Sequence, residues 1–421
     1  MIRVLLYSLA AVIVVLGASW LSANTGTVEI TWLGYQISTT LTFLFLLAVL
    51  FLVLLRIIFL PFNFVSFLCR RRKSTQDKAR QNLLVAVLAA ASAGDEGKYK
   101  ALQRKVNRLY AKDDILRPLL LLNITSGEDR IALLNDLSSD NATELAGLKG
   151  RIDEAVSSGK KSLALELYRQ AFDRFPKVEW IPEPLLELEA FFQKWDDVVS
   201  TAEAAYKRGT ISKKRFLAVK SSALLEKGLS DGNKNLIYQA AKADRTNSAA
   251  QINAAVCYAN QGNYSKALSV LLAIWKQKPS LALYDAVALI TPKDSAYKRV
   301  KIVEKMARMI KSNPLSDLIL ADAYAKASLW GQAKFSAEKY LHLYPHAPRA
   351  IKVIAEAETA ENPNSETAKR WQELSAETPA IKIWQCTSCH NRFNEWHSIC
   401  SACANFATVY PDDERNKEVA E

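Results

Sequence analysis

Cys386, Cys389, Cys400 and Cys403 fall in the stretch "WQCTSCHNRFNEWHSICSAC" as two C-x2-C pairs separated by ten residues. Two such pairs can converge four thiolates on one tetrahedral ion with bonds of about 2.3 Å. Each pair forms a turn whose amides can hydrogen-bond to the sulfurs, and a gap of ten is short but sufficient for a small hairpin. The same residue types serve other chemistries. Cys386, Cys389 and His390 fit the C-x-x-C-H attachment run of a c-type haem, and paired cysteines can act as redox couples or disulfide staples. Haem attachment leaves Cys400 and Cys403 unused, and disulfides need an oxidising compartment. A metal site with Cys386, Cys389, Cys400 and Cys403 as ligands uses all four thiols. Zinc is preferred because a structural role needs no redox chemistry, with an iron–thiolate electron carrier as the alternative. His390 or His397 could replace one thiolate. Neither pair is followed by glycine, since His390 and Ala404 take those places.

So short a segment has too few residues for a core of its own. Trp384, Phe393, Trp396 and Phe406 are the residues expected to pack around it. Its redox setting is decided by the other end of the chain. Val4–Leu21 and Leu41–Phe62 are apolar runs long enough to cross a bilayer. Arg56, near one end of the second run, can snorkel to the interface. The first run has only Arg3 as an n-region and no small-x-small cleavage site, and it reads as a retained helix. Between the runs lies "SANTGTVEITWLGYQISTT", with no Lys or Arg, whereas Arg70–Lys73 follow the second run and Arg3 precedes the first. The positive-inside rule therefore places both ends in the cytoplasm and the loop outside. Alternation of Val28, Ile30 and Trp32, then Tyr35 and Ile37, predicts a small hairpin, with Trp32 and Tyr35 suited to the headgroup zone.

The chain has 421 residues, a formal charge of +12 and few glycines or prolines, the composition of a helical protein of two or three structural units. The positive charge is spread along the chain, and no basic face or motif points to nucleic acid. From Ser74 to Ser375 apolar residues recur at helical spacing. No phosphate loop, nucleophile elbow or H-E-x-x-H pair occurs, so the chain is read as a non-enzyme. His342 and His346 read as surface or helix-end residues, Cys257 as a small core residue, and Cys69 as a membrane-edge cysteine.

Within that body three stretches share a register. Ala164, Ala267 and Ala333 each precede a proline, Pro176, Pro279 and Pro345, by twelve positions. Ala155, Gly159, Tyr168 and Ala171 accompany the first; Ala255, Tyr258, Gly262 and Tyr264 the second; Ala321, Tyr324 and Trp330 the third. The stretch around Tyr297 and Val300 keeps part of the pattern. These residues resemble the tetratricopeptide repeat (TPR), in which small residues sit where two antiparallel helices approach, aromatics fill the gaps between pairs, and proline ends the second helix. No pair can bury its apolar face alone, so pairs stack into a solenoid.

With two spans, the loop pattern G-x-V-x-I-x-W-x-G-Y from Gly26 to Tyr35, the helical start "NLLVAVLAAASAGD" and TPR units, the chain resembles the HemY family of bacterial inner-membrane proteins. Its C-terminal stretch from Trp371 through Phe406 is similar to the cysteine-knuckle tail of the alphaproteobacterial branch. The resemblance implies a scaffold near haem-biosynthesis enzymes and no catalytic residues; the flavoenzyme that shares the name would need a glycine fingerprint absent here. A TPR regulator of lipopolysaccharide assembly with a rubredoxin-like tail is similar too, but has one span.

The expectation is an all-α chain. Two transmembrane helices with a short periplasmic loop occupy 1–65, a TPR-like solenoid 74–375, a zinc-ribbon or rubredoxin-like knuckle 381–410, and a disordered tail 411–421. It would be a multi-pass protein of the bacterial inner membrane with its bulk in the cytoplasm. Its groove would bind protein partners, and its knuckle would stiffen the C-terminal end or offer a second docking face.

Overall fold

The computed structural model describes residues 2–23, 26–32, 35–111, 114, 116–125, 127–379 and 382–412. The chain divides into two compact units, Met1–Thr143 and Glu144–Glu421.

The first unit runs α1 (Ile2–Ala23), β1 (Thr27–Trp32), β2 (Tyr35–Thr40), α2 (Leu41–Ala93), α3 (Glu96–Leu109), α4 (Leu116–Leu122) and α5 (Glu128–Ser139). The expected hairpin is present, with β1 and β2 antiparallel from Thr27 opposite Thr40 to Trp32 opposite Tyr35. The expected boundary between an apolar span ending at 65 and a body starting at 74 is not: α2 runs through both for 53 residues. The physical reason is the absence of any glycine or proline from Asn63 to Ala93. The helix stops at Gly94, whose φ of 64° L-residues rarely adopt, and the N–H groups just past its end return to the carbonyls of Ala90 and Ala91. Leu83, Val87 and Ala90 of α2 pack with Leu102 and Val106 of α3 and with Leu120 and Leu121 of α4. Tyr110 donates to the Arg80 carbonyl while Arg80 donates to that of Leu109, tying the end of α3 to the body of α2.

Many apolar side chains of α1 and the first half of α2 are exposed, among them Ile13, Leu16, Trp20, Leu46, Phe51 and Leu52. Among the described residues no helix is long and apolar enough to cross a membrane. Several side chains of the two apolar runs, with those of Trp32, Tyr35, Arg56, Cys69 and Arg70–Lys73, lie outside the described residues.

The second unit is a stack of helix pairs: α6 (Glu144–Ser157) with α7 (Lys161–Arg174), α8 (Pro182–Phe191) with α9 (Trp195–Arg208), and α10 (Lys213–Ser230) with α11 (Lys234–Ala243). It continues through α12 (Ser248–Asn260) with α13 (Tyr264–Trp275), α14 (Leu281–Ile290) with α15 (Ala296–Met309), α16 (Leu315–Lys326) with α17 (Trp330–Leu341), and α18 (Pro348–Glu361) with α19 (Glu366–Glu377). The register alanines Ala164, Ala267 and Ala333 are fully buried, as small residues at helix approaches must be. Pro176, Pro279 and Pro345 lie just beyond the second helices.

Five of the turns inside these pairs are built alike. Gly159, Gln193, Gly232, Gly262 and Ser328 all have φ between 55° and 78°. Each stands five positions before a buried residue of the second helix: Ala164, Val198, Ile237, Ala267 and Ala333. Gln193 and Ser328 hide this turn from sequence reading because they are not glycine. Ile237 is the large exception among the five, and Gly228 of α10 makes the room. A Cβ there would stand 2.8 Å from the Ile237 side chain and 3.0 Å from its backbone nitrogen. His342 and His346 are exposed, as expected, and Cys257 is half-buried.

Strands complete the unit. β3 (Trp384–Cys386), β4 (Arg392–Phe393) and β5 (Val409–Pro411) form an antiparallel sheet in the order β4-β3-β5. The bulk of the chain is the expected all-α, TPR solenoid-like fold, to which two small sheets are added. Pro411 and Asp412, expected in the tail, are instead tied to the sheet. Pro411 pairs with Trp384, the Asp412 N–H donates to the Ile383 carbonyl at 2.8 Å, and Arg392 Nε lies 3.1 Å from the Asp412 carboxylate. Residues 413–421 lie outside the described residues.

Candidate metal centre

The two C-x2-C turns are copies of one construction. Cys386 N–H donates to the Asn391 carbonyl at 2.9 Å and Cys400 N–H to that of Asn405 at 3.0 Å. His390 N–H returns to the Cys386 carbonyl at 3.0 Å and Ala404 N–H to that of Cys400 at 2.8 Å. His390 and Ala404 have φ of 58° and 61°. The positions where glycine is missing from the sequence thus take the left-handed backbone that glycine would supply, at a steric cost of about 1–2 kcal/mol each.

These turns bring the four sulfurs together. All lie within 4.8 Å of one another. Cys386 Sγ is 3.7 Å from Cys403 Sγ, and Cys389 Sγ is 3.6 Å from Cys400 Sγ. A tetrahedron with metal–sulfur bonds of about 2.3 Å has edges of about 3.8 Å, so the donor set fits one tetrahedral ion. The thiols are free cysteines. The Ser388 N–H points at Cys386 Sγ from 3.4 Å, and Thr408 Oγ1 lies 3.3 Å from the same sulfur. Burial alone would push the Cys386 thiol up, but these contacts and the Cys389 N–H outweigh it and hold it at about 6. Burial pushes Cys403 up to about 12, against the N–H of Asn405, and the neighbouring thiols add to the rise. Four thiolates cannot crowd together unaided, and a cation at their centre removes the conflict. Neither histidine joins the cluster; the His397 ring stands edge-on to Phe393, with centroids 6.0 Å apart.

The knuckle does not stiffen the C-terminal end of the stack. It seats on helices about 190 positions upstream. Phe406, fully buried, stacks on Trp195 at the start of α9 with ring centroids 6.0 Å apart, inside the cluster that holds Val219 and Ala223 of α10. Trp384, Cys386, Cys400 and Val409 share a second cluster with Leu225 of α10, Ile237 of α11 and Ala249, Ala250 and Ala254 of α12. Arg215 clamps the joint. Its Nη1 donates to the Phe406 carbonyl at 2.9 Å while Nε and Nη2 fork onto Glu183 at 2.9–3.1 Å. The expected aromatic jacket is therefore divided: Phe406 and Trp384 enter the helical core, while Phe393 and Trp396 stay partly buried at the knuckle. Arg215, Glu183 and Trp195 carried no sequence signal, being ordinary residues of amphipathic helices.

A stack of helical hairpins that receives its own C-terminal thiol cluster defines the class: a TPR-type α-solenoid carrying a four-cysteine site that could hold a metal ion. The tetratricopeptide repeat family matches residues 224–290, a stretch from α10 to α14 that includes part of the surface beneath the knuckle. Over 424 residues, 94% of this chain and 90% of the relative, the chain is 24% identical to the probable magnetosome protein Mms48 of Magnetospirillum gryphiswaldense. Among solved structures it is similar to a tetratricopeptide repeat protein from Parabacteroides merdae, with 14% identity, 55% of this chain and 99% of that one covered, and a TM-score of 0.30. It is also similar to the C-terminal part of a TPR repeat-containing protein from Cytophaga hutchinsonii, with 15% identity, 54% and 93% covered, and a TM-score of 0.33.

Proposed function

We propose that this chain is a membrane-anchored TPR scaffold that gathers protein partners at the cytoplasmic face of a bacterial inner membrane, in haem biosynthesis. The observation that carries the reading is the apolar surface of α1 and the first half of α2, left uncovered by the rest of the first unit. Exposed apolar area of that extent marks a lipid or protein contact. The sequence supplies the sidedness through Arg3 and Arg70–Lys73 flanking a loop without Lys or Arg. The link to haem rests on the Gly26–Tyr35 loop pattern and the cysteine ending that the chain shares with the HemY family. The scaffold works by effective concentration, raising encounter rates among tethered partners without new chemistry. The knuckle holds zinc as a structural ion, with Cys386, Cys389, Cys400 and Cys403 as the ligands.

Crosslinking in native membranes followed by mass spectrometry tests the setting: haem-pathway enzymes are expected, and recovery of envelope-assembly factors alone overturns it. Protease added to intact spheroplasts should leave the C-terminal unit whole. Elemental analysis should return one zinc per chain; stoichiometric iron with a red colour that bleaches on reduction would make the knuckle an electron carrier instead.

A further inference from the structure

We propose that the outer face of α2 around Val85 and Leu88 pairs with the same face of a second copy of this chain. The inference rests on the membrane-anchored reading and adds the partner that such an anchor brings alongside. Leu83, Val87 and Ala90 turn one side of α2 into the core of the first unit, against α3 and α4. The opposite side of the same turns carries Val85, Leu88, Ala89 and Ser92. All four are exposed, Val85 at 63% and Leu88 at 50%. From 81 to 94 the chain has no charged residue. A helix that is apolar all round is one that is covered all round, and here one side has no cover from this chain.

The last helix of the second unit shows what an open helix face looks like in this protein. α19 exposes Glu366, Lys369, Arg370, Gln372 and Glu373, with Leu374 as the large apolar exception. Terminal helices of repeat stacks stay soluble through polar outer faces of that kind. The outer face of α2 is built the other way. Even Ser92 presents no unmet polar group, because its hydroxyl donates to the Leu88 carbonyl of its own helix at 2.6 Å.

The anchor selects the occupant. Two copies held in one bilayer with the same sidedness are related by an axis along the membrane normal, so their α2 helices rise parallel and at one height. A face then meets its own counterpart, as a two-fold contact requires. This face is complementary to itself. No like charges oppose, and Val85, Leu88 and Ser92 take the a, d and a places of a heptad. A β-branched residue at a with leucine at d favours two parallel strands. The uncharged stretch is about 20 Å of helix, less than a stable dimer buries on its own. Exposed Phe43, Leu46, Leu50 and Val53 continue the apolar surface along the same helix. Tethering to a shared membrane supplies the rest as effective concentration.

The test coexpresses two differently tagged copies of the full chain and measures, after mild detergent extraction, how much of one is recovered with the other. Wild-type copies are expected to copurify. V85E/L88E on both copies sets carboxylate against carboxylate and should cut recovery at least tenfold, as should V85K/L88K on both. One V85E/L88E copy with one V85K/L88K copy should restore recovery to within twofold of wild type, which neither a misfolded variant nor a different partner helix would do. F335E, which charges an exposed apolar residue of α17 instead, should leave recovery within twofold. Wild-type copies that do not copurify, recovery that survives V85E/L88E on both copies, or a mixed pair no better than the like pairs overturns the proposal. If the copies stay apart while haem-pathway enzymes still crosslink in native membranes, the self-pairing fails and the scaffold reading stands.

Discussion

The helix stack and the knuckle are held by opposite strategies, though they pack against each other. In the stack the joints are local: five of the seven pairs turn on a left-handed residue followed five positions later by a buried side chain, repeated so that the loss of one joint leaves its neighbours in place. The knuckle has no such redundancy. Its short strands and two turns converge on four sulfurs, and its largest fully buried side chain, Phe406, sits in a core that belongs to other helices. The difference teaches that the stack can fold on its own periodicity, whereas the knuckle needs a prepared surface and, on the proposed zinc reading, an ion as well.

The sharpest way to break this contrast is at the sulfurs. Cys389→Ser should abolish stoichiometric metal binding and remove hydrogen-exchange protection across residues 384–411, while α14–α18 keep theirs. The effect draws on a binding free energy on the order of 10 kcal/mol in small structural zinc sites. Phe406→Ala comes next. It should cost about 3–5 kcal/mol in docking, read as a change in Trp195 fluorescence and as loss of protection in α9–α12, with the metal retained. If the metal leaves as well, ion and surface are not separate supports.

Inside the stack the effects should be smaller. Gly228→Ala forces a Cβ against Ile237 and should cost about 1–3 kcal/mol in denaturant unfolding. The change should spare the knuckle's metal content. Acid tests a different joint. Burial alone would raise the Asp322 carboxyl, but Lys326 and Arg349, with hydrogen bonds from Lys326 and Tyr284, hold it below the usual aspartate range. A depressed carboxyl contributes stability above its unfolded value of about 3.9 and loses it as pH falls through the lower folded value. Exchange in α14, α16 and α18 should therefore rise as pH drops below about 4, and Asp322→Asn should flatten that limb. Last, Ala404→Gly relieves a left-handed alanine and should strengthen the knuckle by about 1 kcal/mol, seen as slower metal loss to a chelator.

The legible parts were those written at short range. The cysteine spacing announced the sulfur cluster, and the alanine-to-proline offset identified three helix pairs. The remaining pairs were obscured where the turn residue was Gln193, or where Ile237 replaced alanine with Gly228 as its distant complement. The continuity of α2 past Asn63 was visible in the lack of glycine and proline there but was masked by the change from apolar to basic composition at Arg70.

By itself the sequence determined which residues could meet through turns and helical repeats, because these depend on offsets of a few positions and on side-chain size. Only the tertiary structure decided where the knuckle rests, that Arg215 bridges it to Glu183, and that a polar cleft opens between knuckle and stack. Those outcomes depend on the complementarity of surfaces nearly two hundred residues apart, and no periodicity in the chain encodes which of many apolar faces a given Phe406 will find.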